Sequence, residues 1–222
     1  MLCAGLFASD VASFHIKHIS AVFSGGFYSY GDQFIKDLPI PETTEAQKQT
    51  IAGLAQTLTE KTALLRQREK QVQTFPASVT QRRFDEGNIP DLDDLAHLIS
   101  TNNLAKNLDS QKMSQQTDLT GETVLNIGRG ELRGKASLMA LVVRVLQLRG
   151  KMLSEDLLAL EVPLHASEQK AYLDTLNTWQ TEIAALQQDI DGLEQQLNAA
   201  VYDAYGLTAA DREIVEGFLA RF

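Results

Sequence analysis

The residues with the strongest potential for chemistry are few and widely spaced. His15 and His18 stand three residues apart, which would place two imidazoles on one face of a helix, where a metal ion could bind. No carboxylate or thiol is placed to complete such a site, so we interpret the pair as part of one helical face. Cys3 is the single cysteine and has no activating neighbour, so we interpret it as a small hydrophobic residue. No metal ligand or nucleophile is predicted.

Two further segments resemble parts of known sites without completing them. Asp91, Asp93 and Asp94 are spaced like the start of a calcium loop, but the glycine and the twelfth-position glutamate of that loop are missing. The run 128–130, Gly-Arg-Gly, is only a fragment of a glycine-rich loop, and an ordinary turn explains it. The sequence therefore predicts no catalytic, cofactor-binding or metal-binding residue in this chain.

Charge is distributed unevenly along the 222 residues, whose net charge is −9. Residues 166–222 hold ten acids and three bases, whereas residues 129–151 hold six bases and one acid. Nucleic-acid phosphates require clustered Lys and Arg, so the acidic C-terminal third is not expected to bind them. The basic middle could bind them, although a solvated structural surface is the alternative interpretation.

The sequence predicts two long helices, which would position the candidate residues. The second, at about 167–200, begins near Ser167 and contains Gly192 as a weak point. Its apolar residues follow alternating spacings of four and three over about four heptads, which is typical of a single packing seam. The seam consists of Tyr172, Leu176, Trp179, Ile183, Leu186, Ile190, Leu193, Leu197 and Ala200.

The first helix, at about 43–75, has a poorer seam of similar length. Thr43 or Thr44 can cap its start, Pro76 ends it, and Lys61 and Arg68 interrupt its apolar positions. Those positions are Ile51, Leu54, Leu58, Leu65 and Val72. Two helices of matching length most simply pair antiparallel, and oligomerisation through either seam is the alternative.

The segment 76–165 would then be an inserted small lobe. We predict a short helix after Pro90, a loop over 102–117, and strands at 124–127 and 157–162. Residues 142–146 are also strand-like, although 137–148 fits a helix equally well. We favour a β-rich lobe. The predicted fold class is mainly α with a small β portion (α+β), with residues 1–42 as a separate N-terminal region and 43–75 with 166–222 as the helical hairpin.

The C-terminal residues predict a short helical hairpin. Gly206 is placed to end the long helix in the left-handed conformation, and Thr208 and Asp211 stand at capping-box spacing. An apolar stripe follows at Ile214, Val215, Phe218 and Leu219.

Two segments resemble bacterial restriction-modification proteins. Residues 25–41, GGFYSYGDQFIKDLPIP, followed by a helix, are similar to the end of a target recognition domain in TaqI-like and type IIG adenine methyltransferases. Residues 200–208, AVYDAYGLT, with Asp211 and Glu213, resemble the terminal signature of the same group. Ala204 departs from the usual leucine, and Asn198 or Ala199 stands where that pattern has an aspartate. The likeness covers about residues 14–75 and 170–222.

The resemblance implies a C-terminal piece of a larger enzyme. Such enzymes use S-adenosylmethionine and an Asn-Pro-Pro-Tyr-type motif to methylate a flipped adenine. Neither that motif nor a cofactor glycine loop occurs here, so we expect S-adenosylmethionine to bind the remainder of the parent, in cis or in trans, and this chain to be non-catalytic. Whether the parent also cleaves DNA stays open.

The expected partner is DNA, through the parent enzyme. Candidate contacts in the N-terminal region 1–42 are Lys17, Tyr28, Tyr30 and Lys36, for which core packing or ordinary surface is the alternative. Candidates in the basic middle are Arg129, Arg133 and Lys135. Other interpretations of the chain are a stand-alone coiled-coil interaction module and half of a type I specificity subunit. The single cysteine and the lack of a roughly 20-residue apolar run predict a cytoplasmic protein without a membrane span.

Overall fold

The computed structural model describes residues 2–20, 36–117 and 122–221. The chain is mainly α with small antiparallel sheets, so the predicted fold class is confirmed. It forms two compact units, which we call unit 1 (Met1–Leu65 with Leu186–Phe222) and unit 2 (Arg66–Ala185). Their limits fall inside the two long helices.

Unit 1 is helical in its described part. Its elements are α1 (Leu2–Phe7), α2 (Asp10–Ile19), the first part of α3 (Glu45–Gln73), the last part of α8 (Ala166–Tyr205) and α9 (Ala209–Leu219). Leu6, Ile51, Leu197 and Val201 form its buried cluster. The cluster therefore packs α1 and the first part of α3 against the last part of α8.

The predicted helix 43–75 is confirmed as α3, and Thr44 is its capping residue. The Thr44 hydroxyl accepts from the Gln47 backbone N–H at 3.3 Å, and the Gln47 side-chain oxygen accepts from the Thr44 N–H at 2.9 Å. These reciprocal bonds satisfy backbone donors that a helix start otherwise leaves unpaired.

The long helices run antiparallel within each unit, and their charged interruptions are paired. In unit 1, Lys61 lies 2.7 Å from the carboxylate of Asp189, while Ile51 clusters with Leu197 and Val201. In unit 2, Arg68 lies 2.6 Å from Glu182. The two bases that weaken the α3 seam therefore face acids on α8.

The end of α8 extends past the predicted position 200 to Tyr205. Gly206 takes a φ of +66°, the left-handed conformation predicted for it. The Leu207 N–H donates to the Tyr202 carbonyl and the Gly206 N–H to the Asp203 carbonyl, which is the Schellman pattern. Thr208 and Asp211 then form the predicted capping box at the start of α9.

Unit 2 is a mixed α/β lobe on the remaining parts of α3 and α8. Its helices are α4 (Ala77–Asp85), α5 (Leu95–Leu98), α6 (Ala136–Arg149) and α7 (Ser154–Leu158), with a 3-10 turn at Ser110–Lys112. Its strands are β1 (Leu92–Asp94), β2 (Ser100–Asn102), β3 (Asn107–Asp109), β4 (Met113–Thr117), β5 (Glu122–Ile127), β6 (Gly130–Lys135), β7 (Lys151–Leu153) and β8 (Glu161–Pro163).

The sheets of unit 2 are antiparallel throughout. Four strands pair in the order β2-β6-β5-β4, and two smaller sheets pair β1 with β8 and β3 with β7. Helix α6 packs on β5 and β6, where Met139 and Leu146 are fully buried beside Leu125 and Leu132. Tyr172, Leu176 and Trp179 of α8 join the same core, so the start of the α8 seam packs against the lobe.

The lobe differs from the sequence predictions at three places. Residues 142–146 lie in α6, so the helical alternative is correct and the strand is wrong. The predicted loop 102–117 is wrong, because it holds β3, the 3-10 turn and β4. The predicted strand 157–162 is confirmed only at its end, since Leu157 belongs to α7.

Candidate nucleic-acid interface

Strand β6 positions the basic candidates of unit 2. Arg129 is exposed in the β5–β6 turn, and Arg133 and Lys135 follow on β6 itself. Leu132 and Gly134 alternate with them and are buried. Because successive side chains on a strand point to opposite faces, Arg133 and Lys135 lie on the face away from Leu132.

Local acids already engage part of this charge. The Arg133 guanidinium lies 3.1 Å from the Glu131 carboxylate, two residues earlier on the same strand face. Glu122 on β5 stands opposite Lys135 in the strand register. Arg129 is therefore the most accessible of the three predicted contacts, and Arg133 is the least available for a phosphate.

The candidates in the N-terminal region 1–42 belong to unit 1. Lys17 is half-buried on α2, and Lys36 is exposed two residues before the buried Leu38. Tyr28 and Tyr30 lie outside the described residues. Contact of any of the seven candidates with DNA stays a prediction.

The two segments that carry the restriction-modification resemblance meet within unit 1. The Tyr205 hydroxyl donates to the Pro39 carbonyl at 2.7 Å, across 166 positions of sequence. Burial raises the pKa of the Tyr205 phenol, which keeps it protonated and able to donate. The LPIP segment and the AVYDAYGLT segment are thus joined directly.

A second contact ties the same tyrosine-rich segment to α2. Tyr202 is 3% exposed, and its hydroxyl donates to the Asp10 carboxylate at 3.2 Å. The Asn198 side-chain amide donates to the same oxygen at 2.9 Å, and its carbonyl accepts from the Asp10 backbone N–H at 2.8 Å. Burial, followed by the negative charge of Asp10, raises the pKa of Tyr202.

Arg212 completes this polar cluster from α9. Its guanidinium lies 2.7 Å from the Asp203 carboxylate and 5.4 Å from the centre of the Tyr202 ring. Tyr202 of the signature therefore links α2, α8 and α9, which is a structural role. The sequence patterns did not identify Asp10 or Asn198 as residues that contact each other. The signal for Asn198 was that Asn198 or Ala199 stands where the resembling pattern has an aspartate.

The other candidate groups fall into ordinary contacts. His18 stacks on Phe14 with ring centres 5.7 Å apart. The Asp93 carboxylate bonds the His97 ring at 3.0 Å, which raises the pKa of His97 and lowers that of Asp93. Over residues 2–20, 36–117 and 122–221, no group of three or more His, Cys, Asp or Glu could hold a metal ion. In the same ranges, no helix has the length and apolar character to cross a bilayer.

Comparison with known proteins gives little further information. No protein-family model matches the chain, and no curated protein is significantly similar to it. Among solved structures, the chain is similar to the crystal structure of HsdS subunit from Thermoanaerobacter tengcongensis. The identity is 14%, the match covers 90% of this chain and 68% of that chain, and the TM-score is 0.29. At that TM-score neither the fold nor the role of that protein can be carried over to this chain.

Proposed function

We propose that this chain is the non-catalytic DNA-recognition and scaffold region of an adenine-specific DNA methyltransferase in a restriction-modification or phage-defence system. The observation that carries the proposal is the bond between the Tyr205 hydroxyl and the Pro39 carbonyl. It joins the two segments whose sequences resemble that enzyme group, although they are far apart along the chain.

The contacts in unit 1 suit a scaffold. Tyr202 and Asn198 fix Asp10 at the start of α2, and Tyr205 fixes the backbone that leads into α3. Asp10 and Pro39 are thereby both held at the C-terminal end of α8. A recognition element attached there would keep a fixed position on the helix, as site-specific base contacts require.

Chemistry at the adenine would belong to another part of the enzyme. We expect S-adenosylmethionine to bind that part, because the sequence of this chain contains no motif for the cofactor. Calorimetry with micromolar S-adenosylmethionine should give no binding heat with this chain alone. A saturable signal would contradict the non-catalytic assignment.

The DNA-binding part of the proposal is tested by a gel-shift titration of a labelled duplex between 50 and 200 mM salt. Contacts with phosphates release counterions, so we expect a shift that weakens steeply as salt rises. A chain that gives no salt-sensitive shift would be restricted to scaffolding, and a protein-interaction module would then explain it better.

A second candidate, half of a type I specificity subunit, is favoured by one observation. Pro39 and Pro41 lead into a 29-residue helix, α3, as a Leu-Pro-x-Pro sequence does in that class. The neighbouring coding sequence distinguishes the two. A second recognition domain with a repeated long helix supports the specificity subunit, whereas an Asn-Pro-Pro-Tyr motif in the same or an adjacent frame supports the methyltransferase.

A further inference from the structure

We propose that unit 2 carries a binding site for the phosphate backbone of nucleic acid, separate from the Arg133 face of β6. The site is formed by Lys106, Lys112, Arg129, Arg149 and Lys151, which we call the basic edge. The inference rests on the proposed function, and it joins Lys106 and Lys112 to three bases of the run 129–151.

Backbone hydrogen bonds bring the members of the basic edge together. The Gly128 N–H, beside Arg129, donates to the Lys112 carbonyl at 3.0 Å. On the other side of the 3-10 turn, the Ser110 N–H donates to the Gly150 carbonyl at 2.8 Å, between Arg149 and Lys151. The Lys106 carbonyl accepts from the Ser154 N–H at 2.9 Å, at the far end of the β3–β7 pair. Three separate parts of the sequence therefore lie next to one another, and Lys112, Arg149 and Lys151 line one cavity there.

Gly150 sets the position of Lys151. It ends α6 with a φ of +70°, which an L-residue with a side chain adopts only with strain. The chain then starts β7 directly, and Lys151 stands opposite Asp109 in the β3–β7 register. This reversal places two basic residues, Arg149 and Lys151, on either side of one glycine.

Within the described part of the chain, four of the five bases of the basic edge have no ion-pair partner. Lys106, Lys112, Arg129 and Lys151 are exposed, and within residues 2–20, 36–117 and 122–221 none of them forms an ion pair. Two acids lie near them: Asp109, whose carboxylate accepts from the Gln111 backbone N–H at 3.0 Å, and Asp156. In a chain of net charge −9, an unpaired group of bases is a local attraction for anions.

A cavity of about 760 Å³ lies beside this turn. Three bases, Lys112, Arg149 and Lys151, and two acids, Asp109 and Asp156, line it, so the bases are in excess by one. Arg149 is held rigidly there, since one of its terminal nitrogens donates to the Gln73 and Phe75 carbonyls at 2.8 and 2.6 Å. Its Nε is buried and has no acceptor within the described part of the chain. The buried Nε is closed to a ligand from solvent, so the contribution of Arg149 to the site is its charge, held in place beside Lys112 and Lys151.

The arrangement fits a polymer better than a single phosphate. The five bases extend from the β5–β6 turn to the end of the β3–β7 pair, and one phosphate cannot contact all of them. A duplex presents about one negative charge per 1.7 Å of its axis, so successive phosphates can meet successive bases. Duplex DNA is therefore the probe of choice.

The test uses the full chain and two double variants with equal loss of charge. Lys112→Gln with Lys151→Gln removes two members of the basic edge. The control is Lys48→Gln with Lys170→Gln, which removes two exposed lysines that pair with Glu45 and Asp174 on their own helices. Arg149 is left unchanged because it bonds the backbone after α3. Circular dichroism melts confirm that both variants are folded.

Fluorescence anisotropy with a labelled duplex is measured from 50 to 200 mM salt. We expect the basic-edge variant to lose about tenfold or more in affinity and to lower the slope of log K against log salt by about 2, or about 0.9 for each lost phosphate contact. The control should stay within about twofold of the unmodified chain, because its lysines lie outside the proposed contact.

The possible results separate the two proposals. If the unmodified chain binds DNA and both variants keep its salt slope, the basic edge is refuted and the proposed function stands. If the unmodified chain binds no DNA, both DNA assignments fail. If the basic-edge variant loses binding of inorganic phosphate but keeps the duplex affinity and salt slope of the unmodified chain, the cavity is a site for free phosphate, and the assignment to a nucleic-acid backbone is wrong.

Discussion

A single side-chain difference shows how closely the end of α8 matches α2. Asn198 both donates to the Asp10 carboxylate and accepts from the Asp10 N–H. The resembling pattern has an aspartate near this position, but an aspartate could not donate and would set two carboxylates against each other. The asparagine is therefore the residue that Asp10 requires.

We predict that Asn198→Asp lowers the free energy of unfolding at pH 7 by about 2 kcal/mol, since a hydrogen bond to a charged group is lost and like charges face each other. The loss should shrink at about pH 4, where one carboxyl of the pair takes up a proton. Urea titrations at both pH values measure it. Equal stability of the two proteins at pH 7 would show that the contact with Asp10 contributes nothing.

The capping box of α9 gives a prediction about titration. The Thr208 hydroxyl and then the Thr208 backbone N–H hold the pKa of Asp211 below its usual value. A lowered carboxyl pKa adds stability above the unfolded-state pKa of about 4, and that stability is lost as the pH falls through the folded-state value. Thr208→Ala should move the Asp211 pKa upward in a carboxyl NMR titration.

The control for that titration is Thr181→Ala. The Thr181 hydroxyl bonds the Asn177 carbonyl within α8, far along the sequence from α9. It should leave the pKa of Asp211 unchanged. A similar shift in both variants would show that the capping hydroxyl is not the cause.

At the scale of elements, one of two glycines in the α8 region requires a left-handed backbone conformation and the other does not. Gly206 requires its positive φ to end the helix, whereas Gly192 lies inside the helix with open space where a Cβ would be. We predict that Gly206→Ala destabilises the protein by about 1 kcal/mol or more. Gly192→Ala should stabilise it by about 1 kcal/mol. Thermal melts of both variants measure the difference, and a change of the same sign in both would contradict this account.

The long helices could be predicted because their pattern repeats over many turns. Tyr172 through Leu197 keep one face of α8 apolar, and each position is buried or half-buried as that pattern predicts. The polar strands could not be predicted in this way. Residues 113–117 of β4 are mostly exposed, so nothing in their composition separates a paired strand from a loop. Their structure depends on the register with β5, which is non-local.

Part of the candidate site was open to sequence reasoning and part was not. Glu131 and Arg133 are two residues apart on β6, so their side chains lie on the same face of the strand. Their ion pair can therefore be predicted once β6 is predicted. Grouping Lys112 with Arg149 and Lys151 requires the pairing of β3 with β7 and the backbone bond from Ser110 to Gly150. Only the tertiary structure provides those contacts.

At the scale of the whole molecule, unit 2 contains a complete core. Every buried member of the larger cluster, from Val72 to Trp179, lies between Arg66 and Ala185. We predict that a fragment of residues 66–185 folds alone and unfolds cooperatively in urea. Leu125→Ala, which removes a side chain that is 1% exposed, should destabilise the fragment by about 2–5 kcal/mol. A fragment without a cooperative transition would show that its core needs unit 1.

Unit 1 joins the first 65 residues to the last 37, and this has a kinetic consequence during synthesis. Leu6 and Ile51 leave the ribosome before Leu197 and Val201, which complete their cluster. Synthesis proceeds at ~5–20 residues per second, so the apolar face of α3 stays without its α8 partners for a time on the order of ten seconds. Once unit 2 has folded, Arg68 and Glu182 are adjacent, so α3 and α8 already lie side by side at the point where they leave the unit. Completing unit 1 then does not require the entropy cost of closing the loop between these two helices. We therefore expect unit 2, which is contiguous in sequence, to fold before residues 186–222 complete unit 1.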